Sequence, residues 1–193
     1  MAIAINGTGT ITGISVGGLN DSIITSSELA NAAVTAAKLA AGAGGKILQV
    51  VHTVYGTLDT NTTTTLTDTG LSLSITPVAA NSNILVFVSQ AIQSYRNAGD
   101  SSYANVYILR GSTILEDDSL PGTGYFGVYS NASSVMQLYG ILSMQTLDDP
   151  TYTLGDTITY KTQHRPSTTA SSGRSIAQPG GKQSRMTLME IAA

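Results

Sequence analysis

General base or metal chemistry would have to start from two imidazoles, His52 and His164, the only histidines in the chain. His52 falls in a strand pattern, and His164 precedes an Arg-Pro pair that reads as a turn. Neither has the sequence partners that catalysis needs, because no HExxH, GxSxG or Walker segment is present. Carboxylates cluster as Glu116-Asp117-Asp118 and Asp148-Asp149. An acid and a base for glycoside hydrolysis must flank the scissile bond. Sequence neighbours at predicted turns do not meet that demand and read as solvated charges. Asp148, Asp149 and Asp156 are hard oxygen donors of the kind Ca²⁺ takes, but they lack a calcium-loop spacing. The chain has no cysteine, so disulfides and thiolate metal sites are excluded. These residues predict no catalytic group, no cofactor and no metal.

Binding chemistry is better represented. Tyr95, Tyr103, Tyr107, Tyr125, Tyr129 and Tyr139 lie in the middle of the chain, close to Asn, Gln and Arg. Rings with polar neighbours suit sugars and protein surfaces. The stretch from Arg96 to Tyr103 and the glycine- and hydroxyl-rich loop 120–131 could form a recognition tip. That makes Tyr95, Arg96, Tyr103, Tyr125 and Tyr129 the receptor-facing candidates. A second reading packs the same tyrosines inside the head or between subunits, and both stand.

The elements that must carry these residues follow from composition and pattern. The chain has 193 residues and only 11% of them are charged, against about 25% in average soluble proteins. Ser, Thr and Asn take their place, giving a neutral, hydroxyl-rich surface. A net charge of −3 gives nucleic acid no electrostatic purchase. No apolar run reaches the roughly 20 residues that span a bilayer. The start, MAIAINGTGTITG, lacks a basic n-region and so reads as no secretory signal. Work outside a cell would then require another route, such as lytic release.

Residues 1–20 are short β-like runs punctuated by glycine and read as a docking arm. Residues 21–30 (DSIITSSELA) and 31–40 (NAAVTAAKLA) form a decapeptide repeat. Its apolar anchors Ile24, Leu29, Val34 and Leu39 are five apart. Ten residues of α-helix turn about 1000°, so the anchors drift round a helix; on a strand a step of five changes face. Neither regular element lines them up. Thr25-Ser26-Ser27-Glu28 is a capping-box sequence for a short helical turn. Several chains wound on one axis would bury the anchors, which predicts a multichain stalk over 21–45 ending in the AGAGG hinge.

From Lys46 onward the pattern is β. Runs at 47–54, 71–75, 84–92, 103–109, 113–115, 135–147, 156–164 and 185–191 are separated by turn residues, which predicts an all-β sandwich or barrel over 46–193. Ile84–Ile92 reads as a central strand, Val135–Leu147 as a long apolar strand with a bulge at Gly140, and 166–181 as a mobile loop.

Repeats of the form (A)VT-x-x-KLA, together with KILQVV, GLSLSITP, NSNILVFV and a closing MTLMEIAA, resemble those of bacteriophage fibre and related virion proteins over residues 21–193. The resemblance implies a jelly-roll head like that of the complement C1q and tumour necrosis factor group, assembled as a homotrimer on a short stalk. It also implies a virion location, contact with other virion proteins through the arm, and attachment to a host glycan or protein. The missing motifs, the charge and the lack of a long apolar run predict, for their part, no enzyme, no nucleic-acid partner and no membrane insertion. With just two clear repeats, a head-bound fibre or capsid decoration protein stands beside a tail fibre. A polysaccharide depolymerase is a more distant reading.

Overall fold

Alternation of β-branched or long apolar residues with Ser and Thr decides most of the strands. The computed structural model describes residues 46–98, 101–115, 125–128 and 134–193. The arm at 1–20, the repeat anchors Ile24, Leu29, Val34 and Leu39, the acidic run 116–118 and Tyr129 lie outside the described residues.

Among the described residues, eleven strands form two antiparallel sheets. They are β1 (Ile47–Tyr55), β2 (Asp59–Asn61), β3 (Thr67–Ile75), β4 (Asn83–Arg96), β5 (Ser102–Arg110), β6 (Thr113–Ile114), β7 (Tyr125–Val128), β8 (Met136–Asp148), β9 (Ile158–Pro166), β10 (Arg174–Ala177) and β11 (Ser184–Ile191). The first sheet runs β1-β11-β4-β10-β2, with β8 also paired to β4. Residues 84–96 of β4 pair with β8, while β11 and β10 divide its other edge between them. The second sheet runs β3-β9-β5, and β6 and β7 share the far edge of β5. The central position expected for Ile84–Ile92 is therefore correct.

The sheets pack face to face. Ile84, Val86 and Val88 of β4 and Met186 and Leu188 of β11 meet Leu71 and Ile75 of β3, Ile158 and Tyr160 of β9 and Ile108 of β5. A smaller cluster holds Ile92, Ala104, Val106 and Ala177. Burying each large aliphatic side chain contributes about 1.5–3 kcal/mol.

Between the two clusters runs a belt of buried polar side chains. Thr162 Oγ1 donates to Gln90 Oε1 at 3.0 Å and also meets Thr69 Oγ1. Gln90 Nε2 donates to Ser184 Oγ at 2.9 Å. Gln178 completes the belt with its amide oriented so that the nitrogen donates to the Thr57 and Thr69 carbonyls, each at 3.1 Å. Its oxygen then accepts from Ser184 Oγ at 2.9 Å and from Gln90 Nε2 at 2.8 Å. Gln90, Thr162, Gln178 and Ser184 have no exposed surface. Burial without partners would cost each of them about 1–3 kcal/mol.

Three local expectations need correction. Segment 166–181 is no loose loop: it carries β10 between β4 and β2, and buries Ser175, Ala177 and Gln178. Gly140 forms no bulge, because β8 stays in register with β4 from Ile84 opposite Asp148 to Arg96 opposite Met136. Its missing side chain makes room for Phe126, whose ring would lie 2.4 Å from a Cβ there. The Arg-Pro pair after His164 is strand rather than turn, with Pro166 opposite Ala104. Pro166 lies beyond the last β3 partner of β9, His164, so its missing N–H breaks no bond to β3. The bulge falls instead in β3, between Asp68 and Ser72. There Gly70 has φ of 85° and lies against the Tyr55 ring, a position no L side chain could take without clash.

Candidate functional site

The side chains with chemical potential are mostly locked into the fold. His164, on β9, has no exposed surface. Its Nε2 is 2.7 Å from Asp59 Oδ2 and its Nδ1 3.0 Å from Ser175 Oγ. These are the residue types of a nucleophile–base–acid relay. Ser175 is buried as completely as His164, however, and none of the surface grooves described below is lined by either residue. The three groups tie β2, β9 and β10 together. Burial, the larger effect, pulls the imidazole pKa below its ordinary value, and the Asp59 carboxylate partly offsets that. His52 is exposed on β1 and meets Thr187 Oγ1 at 2.9 Å.

The carboxylates behave likewise. Asp148 does not sit on a solvated turn: it ends β8, is 8% exposed, and receives Arg110 Nη1 at 2.6 Å and the Tyr160 hydroxyl at 2.7 Å. Burial, then the adjacent Asp148 carboxylate, holds the Tyr160 phenol well above its usual range. Asp149 is exposed, and Asp156 is spent on accepting from Thr153 N at 2.8 Å. Among the described residues no three His, Cys, Asp or Glu side chains converge as a metal site would need. Glu190 of β11 accepts from Val78 N, Ala79 N, Ser82 Oγ and Gln49 Nε2, pinning the β3–β4 connection to β11. Nothing in the sequence around Glu190 signals this role, because its partners lie more than 100 residues earlier.

The receptor-facing candidates divide. Arg96 is 1% exposed and points inward, so it presents nothing to solvent. Tyr95 is half-buried and its ring is capped by Arg174, whose Cζ lies 3.7 Å from the centroid. Its hydroxyl donates to Asn97 Oδ1 at 2.7 Å, and Asn97 Nδ2 to Ser172 Oγ at 3.0 Å. Tyr95, Asn97 and Arg174 thus form a built corner rather than an open aromatic surface. Tyr103 is half-buried against Gly127, and Tyr125 lies on β7 opposite Asn105.

An open apolar surface lies on the outward face of the first sheet, which sequence reading did not single out. Cross-strand register aligns Val50, Met189, Leu85 and Leu147 in one row across β1, β11, β4 and β8. Val50 is 53% and Leu147 58% exposed. Further along β8, Ile141 and Tyr139 are exposed too. Two grooves open on this face. One, of about 560 Å³, lies between His52, Phe87, Gln145 and Arg185. The other, of about 970 Å³, lies between β8 and the segment 179–185. The alternation Gln137-Tyr139-Ile141-Ser143-Gln145-Leu147 is the signal that could have found this face: both faces of β8 carry apolar groups, but only one meets the core.

No family of known proteins matches the chain, and no curated protein matches it either.

Proposed function

We propose that the chain is a structural protein of a bacteriophage virion: a homotrimeric fibre or spike whose jelly-roll head helps attach the particle to a host surface. The observation that carries the trimer is the outward face of the first sheet. Val50, Leu85, Met189 and Leu147 make a continuous apolar row on a surface that a single copy leaves in water. Patches of this kind mark interaction surfaces, and depletion of charge is what distinguishes the centre of an interface. The two antiparallel sheets and the virion-like motifs KILQVV, GLSLSITP and NSNILVFV support the jelly-roll reading. On this reading the arm at 1–20 joins other virion proteins and Ile24, Leu29, Val34 and Leu39 bury against sister chains. Attachment is non-covalent and gains strength from three heads acting together. The brevity of the repeat favours a short, head-bound fibre as the second reading.

Light scattering tests the assembly. A trimer has three times the 19.9 kDa of one chain, and a stable species at 19.9 kDa refutes it. Antibody against residues 46–193 tests the location: labelled particles in electron micrographs are expected, at the head for a capsid fibre and at the tail for a tail fibre. Unlabelled particles refute the virion reading.

A further inference from the structure

We propose that the groove between β8 and the segment 179–185 binds a carboxylate-bearing sugar, of the uronic or sialic acid class. The inference rests on the attachment reading above and names the ligand class for it.

The groove has the size range of small-ligand sites, at about 970 Å³. Its walls differ in chemistry. Tyr139, 58% exposed, and Ile141, 64% exposed, offer an apolar platform on β8. The Tyr139 hydroxyl donates to Gln137 Oε1, which also accepts from Gln93 Nε2 at 3.1 Å, so the ring is held in place. The facing wall carries Lys182 and Arg185, both exposed, with Gln183 between them in sequence. Arg185 Nη2 donates to Gln183 Oε1 at 3.1 Å, which orients the guanidinium. No Asp or Glu lines the groove. The ion pairs among the described residues use Arg110, Lys161 and His164, not Lys182 or Arg185. The chain as a whole is acidic, with a net charge of −3, so two cations facing an empty groove form a local exception to its charge.

A ligand complementary to both walls has a flat apolar face for the ring and an anionic edge for the cations. A pyranose with a carboxylate is such a molecule: its C–H face can lie on Tyr139 while guanidinium and ammonium take the carboxylate. Inorganic phosphate has the charge without the face, and a neutral hexose the face without the charge. Tyr139 is eight residues from Leu147 along β8, roughly 26 Å at strand rise. Arg185 is four residues from Met189 along β11, roughly 13 Å at strand rise, so the groove lies beside the apolar row assigned to the trimer and does not include it.

Calorimetric titration of the full chain with three probes tests the proposal: a galacturonic acid trisaccharide, its methyl ester and a triglutamate peptide. The expected result is binding of the acid at least about tenfold tighter than the ester, as expected for a charge-assisted contact, with triglutamate weaker than the acid. Lys182→Gln with Arg185→Gln should lose about tenfold or more, Tyr139→Ala a similar factor, and Tyr139→Phe little. All of these side chains are exposed, so an unchanged β circular dichroism signal verifies folding. No binding, equal binding of acid and ester, triglutamate binding as tightly as the sugar, or variants that bind like the parent would each overturn it. Light scattering on the same samples keeps the two readings apart. A trimer that ignores the sugar sinks the groove alone, and a monomer that binds it sinks the assembly alone.

Discussion

Replacing Glu190 by alanine should cost the head more than any other single carboxylate. The side chain has no exposed surface. Ser82 Oγ donates to it at 2.8 Å, Ala79 N at 3.0 Å and Val78 N at 3.0 Å, with Gln49 Nε2 at 2.6 Å. Hydrogen bonds to a charged group contribute about 1.5–3 kcal/mol each. Gln49 can turn to water, and it keeps a second bond to the Thr76 carbonyl. Val78 lies at the surface and its amide can rehydrate in part, whereas Ser82 is fully buried and cannot. Three donors at the low end of the range give a loss of about 3–5 kcal/mol. That corresponds to roughly 8–15 °C in Tm for a domain of this size.

The variant Glu190→Gln can keep an acceptor for Ala79 N and Ser82 Oγ but then sets an amide N–H₂ against the Gln49 and Val78 donors, and should lose about 2 kcal/mol. The pH dependence gives a second reading. Burial alone would raise the Glu190 pKa, but the bonds from Val78, Gln49, Ala79 and Ser82 outweigh it and hold the carboxyl below its ordinary value. The unfolded chain therefore takes up the proton first. The stabilisation is complete above about pH 4.3 and is lost as pH falls toward the folded value. Urea titrations at pH 7 and pH 4, followed by tyrosine fluorescence because the chain lacks tryptophan, measure both effects. Hydrogen exchange at the Ala79 amide reports the local release. An alanine variant within 1 kcal/mol of the parent, with the same pH slope, would refute the reasoning.

His164 gives a separate dependence. Its folded pKa is lowered, so stability is full above about pH 6.5 and declines as the unfolded chain protonates below it; His164→Gln should flatten the slope between pH 6.5 and 5 in urea titrations. Gly140→Val drives a side chain into Phe126 and should destabilise by about 1–3 kcal/mol by thermal unfolding, with Phe126→Ala restoring part of the loss in the double variant. Val50→Lys with Leu147→Lys, both exposed in the single chain, should leave the head folded by circular dichroism yet reduce the mass seen by light scattering; an unchanged mass contradicts the assigned interface.

Strands were legible where one face meets the core and the other meets water, as in Leu71-Ser72-Leu73-Ser74-Ile75. β10 was not, because Arg174-Ser175-Ile176-Ala177 is too short and too polar to show a period, and its neighbours Gly173, Pro179, Gly180 and Gly181 read as loop. Its place is set by β4 and β2 pairing on either side. β8 was legible as a strand but not as an edge, since apolar residues on a face that meets no core look the same as buried ones. The Asp59-His164-Ser175 tie, the Gln90–Gln178 belt and the Glu190 knot were invisible for one reason: their members come together only through the sheets. Arg96 illustrates the reverse error. A charged residue beside a predicted loop reads as exposed, but the inward face of β4 continues to its end.

The position of β11 has a consequence for how the head is made. It lies between β1 and β4, yet every other strand precedes it in the chain. His52 and Thr187, neighbours across that ladder, are 135 residues apart in sequence. Among the described residues β11 is the strand that pairs with β1, so that ladder cannot form until β11 has been made. The β4–β8, β4–β10 and β2–β10 ladders do not need β11, but the join between β1 and β4 does, so a product terminated before residue 184 carries an unfinished sheet.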